Sequence, residues 1–287
     1  MAGDIRIDEY LGTHVHVVAA RQNRPVTQGN EQCPFCVGGL EAPEPYEVKA
    51  FPNRWPALGE GRCEVVLYTP EHDATFSSLG TSGARAVIDV WAERTAALRA
   101  LDDVEYVVVF ENRGAEIGAT ISHPHGQIYA FDHVPSRPKR LIASQWSPHL
   151  QPGDRLICEN EHFIAYTQYA SVHPVSLIVA PKVRAADIAA LTAPQRNALA
   201  SMMVDVFTRL DQLFDAPLPY MMWFLQAPTH HHSDNVWMNL EIVSPWRAPH
   251  LHRYIAAVEV ATEEYFNPVD PSDLAARLRA LAPHTRP

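Results

Sequence analysis

What most constrains this chain is a pattern that occurs twice. A strand-like run at 63–69 is followed by a helical stretch from about 82 to 101, a strand at 106–110, a polar loop and a strand at 126–131. The same order returns as a strand at 175–180, a helical stretch from about 194 to 214, a strand at 220–225, a polar loop and a strand at 236–243. Segments repeating in one order are read as two copies of a structural unit. Both helical stretches carry apolar residues at the spacing of a single buried face: Val87, Val90, Trp91 and Leu98 in one, Leu199, Met202, Met203, Val206 and Leu210 in the other. Thr81 or Ser82 is placed to cap the first, while Thr192 ahead of Pro194 is placed to cap the second. A shift of 114 lays Phe110 on Phe224, His125 on Asn239, Gln127 on Glu241 and Ile128 on Ile242. The expected fold is α+β, antiparallel sheets with flanking long helices, in an N-terminal half (1–150) and a C-terminal half (151–287) that lacks the histidine pair.

Composition narrows the function. Of 287 residues 47% are apolar and 20% charged, which suits a globular chain with a sizeable core. No apolar run is long enough to cross a bilayer, and the opening MAGDIRIDEY lacks the basic flank and apolar stretch of a secretion signal. The expectation is a cytoplasmic protein with no membrane partner. A formal charge of −10 argues against nucleic acid as a partner, because backbone binding depends on Lys and Arg releasing counterions. An anionic small ligand would need a local basic pocket. Four cysteines in a cytosolic chain do not suit a disulfide framework. Cys33 and Cys36, in CPFC, read as half of a metal site or as a redox pair, whereas Cys63 and Cys158 sit among strand-like apolar residues as small hydrophobes.

The chemistry concentrates in residues 122–127, SHPHGQ. Proline biases the residue before it toward extended backbone, and side chains two apart in a strand share a face. A neutral imidazole is a competent nucleophile at phosphorus when a carbonyl accepting its other N–H fixes the tautomer. Gln127, two residues beyond His125, is spaced to donate an amide N–H to a phosphate oxygen. Upstream, the glycine-punctuated loop ENRGAEIG at 111–118 is of the kind whose amides approach phosphates closely. Cys33 and Cys36 supply two ligands of a tetrahedral site, with His72 and His123 as candidates for the others. The run His230, His231 and His232 is the rival cluster, or an exposed loop tip.

Residues 110–131, FENRGAEIGATISHPHGQIYAF, strongly resemble the active-site segment of galactose-1-phosphate uridylyltransferases, a branch of the histidine-triad superfamily. ARQNRP at 20–25, CPFC at 33–36, FPNRWPAL at 51–58, YTPEHDATF at 68–76, and Arg253, Glu259 and Asn267 follow in the family's order. The resemblance implies two histidine-triad-like repeats, and a ping-pong nucleotidyltransferase that moves UMP between sugar 1-phosphates (UDP-glucose and galactose 1-phosphate by default). It makes His125 the nucleophile and places Gln127 on the transferred phosphoryl group. Arg21, Arg24, Asn53, Trp55, Asn112 and Thr120 would hold the nucleotide and its phosphates. Cys33, Cys36, His72 and His123 would ligate a structural Zn2+. The partners it implies are a UDP-sugar, a sugar 1-phosphate and a second copy of the chain, in a homodimer whose sites borrow residues from the partner.

Two departures stand out. Leu141, Leu225 and the histidine-free strand at 236–242 occupy positions where some members ligate a second metal, so no second metal is expected. In the acceptor segment a lysine, a tyrosine, a glutamate and a glutamine of the family are replaced here by Arg253, Val258, Glu259 and Tyr265, which leaves Arg253 and Glu259 as the sugar-phosphate-binding candidates. A related nucleotide-sugar phosphorylase or a transferase for another sugar 1-phosphate is the alternative activity. A nucleotide-binding regulator without catalysis is the alternative of another class.

Overall fold

The computed structural model describes residues 4–18, 33–230 and 235–281. Its centre is a nine-stranded antiparallel sheet in which the repeat is plain. The first half contributes β3 (Lys49–Pro52), β4 (Cys63–Leu67), β5 (Tyr106–Arg113) and β6 (His125–Phe131), with helix α1 (Gly80–Arg99) between β4 and β5. The second contributes β8 (Phe163–Thr167), β9 (Val175–Pro181), β10 (Tyr220–Leu225) and β11 (Asn239–Ser244), with α3 (Ala193–Gln212) between β9 and β10. The strand order is β3-β4-β6-β5-β10-β11-β9-β8-β7, where β7 is Leu156–Glu159. Read outward from the β5–β10 pair, both halves give the same sequence of strands. A hairpin of β1 (Asp4–Ile7) and β2 (His14–Val17) precedes the sheet, and α2 (Ser136–Ala143) lies in the connection between halves. The chain closes with β12 (Trp246–Ala248), β13 (Leu251–His252), α4 (Ala257–Thr262) and α5 (Pro271–Ala280).

Alternation sorts the side chains. Val66, Val107, Val109, Ile128, Tyr220, Met222, Phe224, Leu240 and Ile242 face the helices and form one core with Val87, Trp91 and Leu98 of α1 and Met203, Val206 and Leu210 of α3. The helices pack against each other across that face. Capping differs between them. Thr192 accepts from the Gln195 amide and Gln195 reaches back, a capping box with proline in the first turn, as the sequence suggests. By contrast α1 starts at Gly80 behind Leu79 with no side-chain cap, so neither Thr81 nor Ser82 caps it. Its first turn follows directly from a 3-10 turn at Ser77–Leu79, which brings the chain in already wound.

On the other face one lateral row runs across the sheet: Val65, Gln127, Phe110, Trp223, Glu241, Ile178 and Tyr166. This corrects the repeat alignment. Phe110 faces Gln127, but Glu241 faces Trp223 and not Phe224. With Gln127 on Glu241, the equivalent of Phe110 is therefore Trp223, and the second copy's loop is one residue longer. The shift of 114 holds for His125 on Asn239 and fails by one in β10.

Candidate active site

The sheet face away from the helices carries the candidate site, at the start of β6. His125 is buried, opposite Leu67 of β4, with its ring edge-on to Phe35 at a centroid distance of 5.0 Å. Its Nδ1 lies 2.7 Å from the His123 carbonyl oxygen. A carbonyl can only accept, so Nδ1 is the donor, and in the neutral ring the lone pair sits on Nε2. Gln127, on the same face, is also buried. Its Oε1 accepts from Asn53 Nδ2 at 3.2 Å and from Tyr129 Oη at 3.3 Å, which leaves Nε2 as the donor end. Asn53 is held in turn by its Oδ1, which accepts from the Trp55 amide at 2.8 Å. Asn53 follows β3 directly and reaches Gln127, whereas Trp55 is tied to it only through its bond to Asn53.

Asn112 lies on β5, opposite Met221 of β10, on the sheet face that carries Gln127 and Phe110. Beyond it the loop turns at Gly114 and Gly118, both at positive φ, around a 3-10 turn at Ala115–Ile117. At Gly114 a side chain would also meet Pro219 at 2.7 Å, so glycine is required there twice over. The loop delivers Thr120, whose Oγ1 is buried and has no hydrogen-bond partner. A buried hydroxyl left open in this way fits a ligand oxygen. Arg21 and Arg24 fall outside the described residues.

Cys33, Cys36, His72 and His123 come together, with one donor atom from each lying within 4.8 Å of the others. Nδ1 of His72 is 3.4 Å and Nδ1 of His123 3.7 Å from Cys36 Sγ. The far nitrogens are occupied: His123 Nε2 donates to the Thr69 carbonyl at 2.8 Å, and His72 Nε2 is 3.1 Å from Ser122 Oγ. Burial lowers the His123 pKa and so favours the neutral ring that a metal needs. Burial, then the neighbouring Cys33, pushes the Cys36 thiol up to about 11. The set can hold a metal ion, and its donors suit one that binds sulfur and nitrogen in a tetrahedron. It would tie the CPFC turn and the chain after β4 to the lead-in of β6. Of the rival run, His230 is exposed, and His231 and His232 lie outside the described residues.

Arg253 and Glu259 do not point at this cluster but at each other, both buried and ion-paired. Glu259 also accepts from the Ala256 amide at 2.6 Å and the Phe266 amide at 2.8 Å, so the pair staples its own loop. In the second repeat Glu241 stands where Gln127 stands in the first, and it accepts from Arg137 and Gln168, each at 2.9 Å. Asn239 takes the place of His125. Leu141, Leu225 and Trp237 line a separate cavity of about 1040 Å³.

The chain matches the family models for the N-terminal domain of galactose-1-phosphate uridyl transferase over residues 46–135 and for its C-terminal domain over 119–263. It is 32% identical to the galactose-1-phosphate uridylyltransferase of Thermotoga maritima, over 96% of this chain and 98% of that one. The chain belongs to the galactose-1-phosphate uridylyltransferase family. With the Streptomyces lividans galactose-1-phosphate uridylyltransferase it shares 35% identity over 78% of this chain and 70% of that protein. A solved uridylyltransferase superposes with a TM-score of 0.86 at 25% identity, covering 96% of this chain and 97% of the other. An Arabidopsis thaliana ADP-glucose phosphorylase shares the fold, with a TM-score of 0.77 at 21% identity over 98% of this chain and 100% of that one.

Sequence reasoning singled out His125 and Gln127, and named the four side chains that the fold gathers around Cys36. It missed Phe35 as the wall of His125, Tyr129 as the second donor to Gln127, and Tyr46, whose hydroxyl lies 3.0 Å from His123 Nε2. Only the alternation of β6 could have flagged Tyr129, which shares the face of His125 and Gln127.

Proposed function

We propose that this chain is a nucleotidyltransferase that moves UMP between sugar 1-phosphates through a covalent intermediate on His125. The observation that carries the reading is the bond from His125 Nδ1 to the His123 carbonyl, which leaves Nε2 as a nucleophile on the face shared with Gln127. Nε2 attacks the α-phosphorus of a UDP-sugar. The new N–P bond forms as the P–O bond to the departing sugar 1-phosphate breaks. An oxygen of a second sugar 1-phosphate then attacks the same phosphorus, breaks the N–P bond and frees His125. Gln127 Nε2 would donate to the phosphoryl oxygen as charge grows there, with Asn53 and Tyr129 holding the amide. Thr120, Asn112, Trp55, Arg21 and Arg24 are assigned to the nucleotide and its phosphates. Mixing the protein with labelled UDP-glucose and no acceptor should give a labelled, acid-labile adduct in wild type and none in His125→Ala. An adduct that persists in the variant refutes the nucleophile.

The metal is proposed to be a structural Zn2+ on Cys33, Cys36, His72 and His123. A bound cation would reverse the rise of the Cys36 thiol, because a coordinated thiol loses its proton. Metal analysis should find about one zinc per chain in wild type and a loss in Cys36→Ser. Equal content in both would remove these ligands from the assignment.

The inward turn of Arg253 and Glu259 favours a second reading of the acceptor: a different sugar 1-phosphate, or inorganic phosphate in a phosphorylase. A panel of sugar 1-phosphates and inorganic phosphate, offered to the pre-formed adduct and read by mass spectrometry, separates the two. A homodimer belongs to the same proposal. Tyr254, Val260 and Phe266, close together in the chain after β13, are exposed large apolar side chains of the kind a second subunit would cover. Division of the chain into repeats near residue 150 completes the reading.

A further inference from the structure

Directly beneath the proposed nucleophile, on the helix-facing side of the sheet, lies a polar chain that the reaction above does not use. Glu111 of β5 is buried, and its two oxygens are shared between strands. Oε1 accepts from Tyr220 Oη of β10 at 2.7 Å, and Oε2 accepts from Tyr68 Oη, just past β4, at 3.1 Å. Tyr68 in turn grips the histidine segment on both sides of His125. Its backbone amide donates to the Pro124 carbonyl at 3.2 Å. Its hydroxyl lies so close under Gly126 that a Cβ there would overlap it. The Tyr68 ring is packed edge-on against Phe76 at 5.7 Å and Trp91 at 5.6 Å. On the far side Arg113 lies over the Tyr220 ring, bonds Asp211 of α3 at 2.6 Å, and Asp211 is fixed by Ser77 Oγ at 2.9 Å.

A buried carboxyl is costly to keep unless it does something a hydrophobe could not. Here it sets where the Tyr68 hydroxyl stands, and that hydroxyl is the surface on which Gly126 rests. His125 and Gln127 flank Gly126 and project from the opposite face, so a change in the height of Gly126 moves both. We infer that Glu111 is a positioning residue for nucleotidyl transfer, acting through Tyr68 to hold the His125–Gly126–Gln127 backbone at the distance from phosphorus that in-line attack requires. Burial holds both phenols protonated far above their usual range, so each remains a donor to Glu111.

The inference rests on the covalent reading of His125, and the experiment keeps the two apart. The rate of adduct formation from UDP-glucose alone is measured in single turnover, together with the binding constant for UDP-glucose, for wild type, Glu111→Ala, Glu111→Gln and Tyr68→Phe. Glu111→Ala should slow adduct formation by about tenfold or more, since small misplacements of reacting atoms carry penalties of that size. Binding of UDP-glucose should stay unchanged. Glu111→Gln, which can accept from one tyrosine and donate to the other, should restore the rate to within about threefold of wild type. Tyr68→Phe should fall between, and it keeps the test decisive if Glu111→Ala does not fold. Failure of wild type to form an adduct refutes the covalent reading itself. An adduct formed at wild-type rate by Tyr68→Phe, or a loss of binding and rate together in Glu111→Ala that Gln does not rescue, overturns the positioning role.

Discussion

Glu111 illustrates what a single residue exchanges when it leaves water. Burial pushes its pKa up to about 7, against the opposing pull of the Tyr220 and Tyr68 hydroxyls and Arg113 and with a small addition from Asp211. The folded state therefore keeps a proton that the unfolded chain releases near its ordinary pKa of 4.5. Stability from this group is fully present below that value and is lost as pH rises through about 7. Across that window the loss amounts to something on the order of 3 kcal/mol. Glu111→Gln cannot titrate, so its stability relative to wild type should rise between pH 5 and 8, measured by urea unfolding at each pH. A difference that stays flat with pH would mean the carboxyl is not the buried acid described here. The residue belongs to a loop that reads, from sequence, as a phosphate cradle. Alternation along β5 instead turns Glu111 to the helices and leaves Asn112 on the other face.

At the scale of elements, local sequence was most legible where one segment carries all its own instructions. Thr192, Pro194 and Gln195 start α3 within four residues, and the structure forms the capping box. Thr192→Ala should lower stability by about 1 kcal/mol, read as a shift in the thermal midpoint, because the Gln195 amide loses its acceptor. The start of α1 was misread for the opposite reason. Its first turn is set by a preceding 3-10 turn tied into Asp211 through Ser77, a contact 134 residues away in sequence that no local signal reports. The candidate metal set lies between these cases. The CPFC spacing names two ligands, but fifteen histidines offer partners, and only the fold brings His72 and His123 to Cys36.

For the whole molecule, the β5–β10 pairing joins the two halves through main-chain bonds, and one core holds side chains of both α1 and α3. Neither half buries its helix face alone. Unfolding should therefore be a single cooperative transition in which the buried Trp91 of the first half and Trp246 of the second lose their protection at one denaturant concentration. Two separated transitions would show that the halves are stable independently. The halves differ at the candidate site, where Asn239 and Glu241 of the second stand in the places of His125 and Gln127. In the second, Arg137 from the connection between halves reaches Glu241 and lies 5.3 Å from the centre of the Trp223 ring, closing the place equivalent to the site.

By itself the sequence determined the repeated α+β order, the buried faces of both long helices and the identities of His125, Gln127 and the cysteine pair. Those features depend on periodicity and on residue types close together in the chain. Only the tertiary structure decided which partners those residues meet. It set the one-residue offset between repeats, the tautomer of His125, the gathering of four side chains around Cys36, and the inward pairing of Arg253 with Glu259. It also set the support of Gly126 by Tyr68 and Glu111. Each of these depends on lateral pairing of strands or on loop closure, where a shift of one residue turns a side chain to the other face of the sheet.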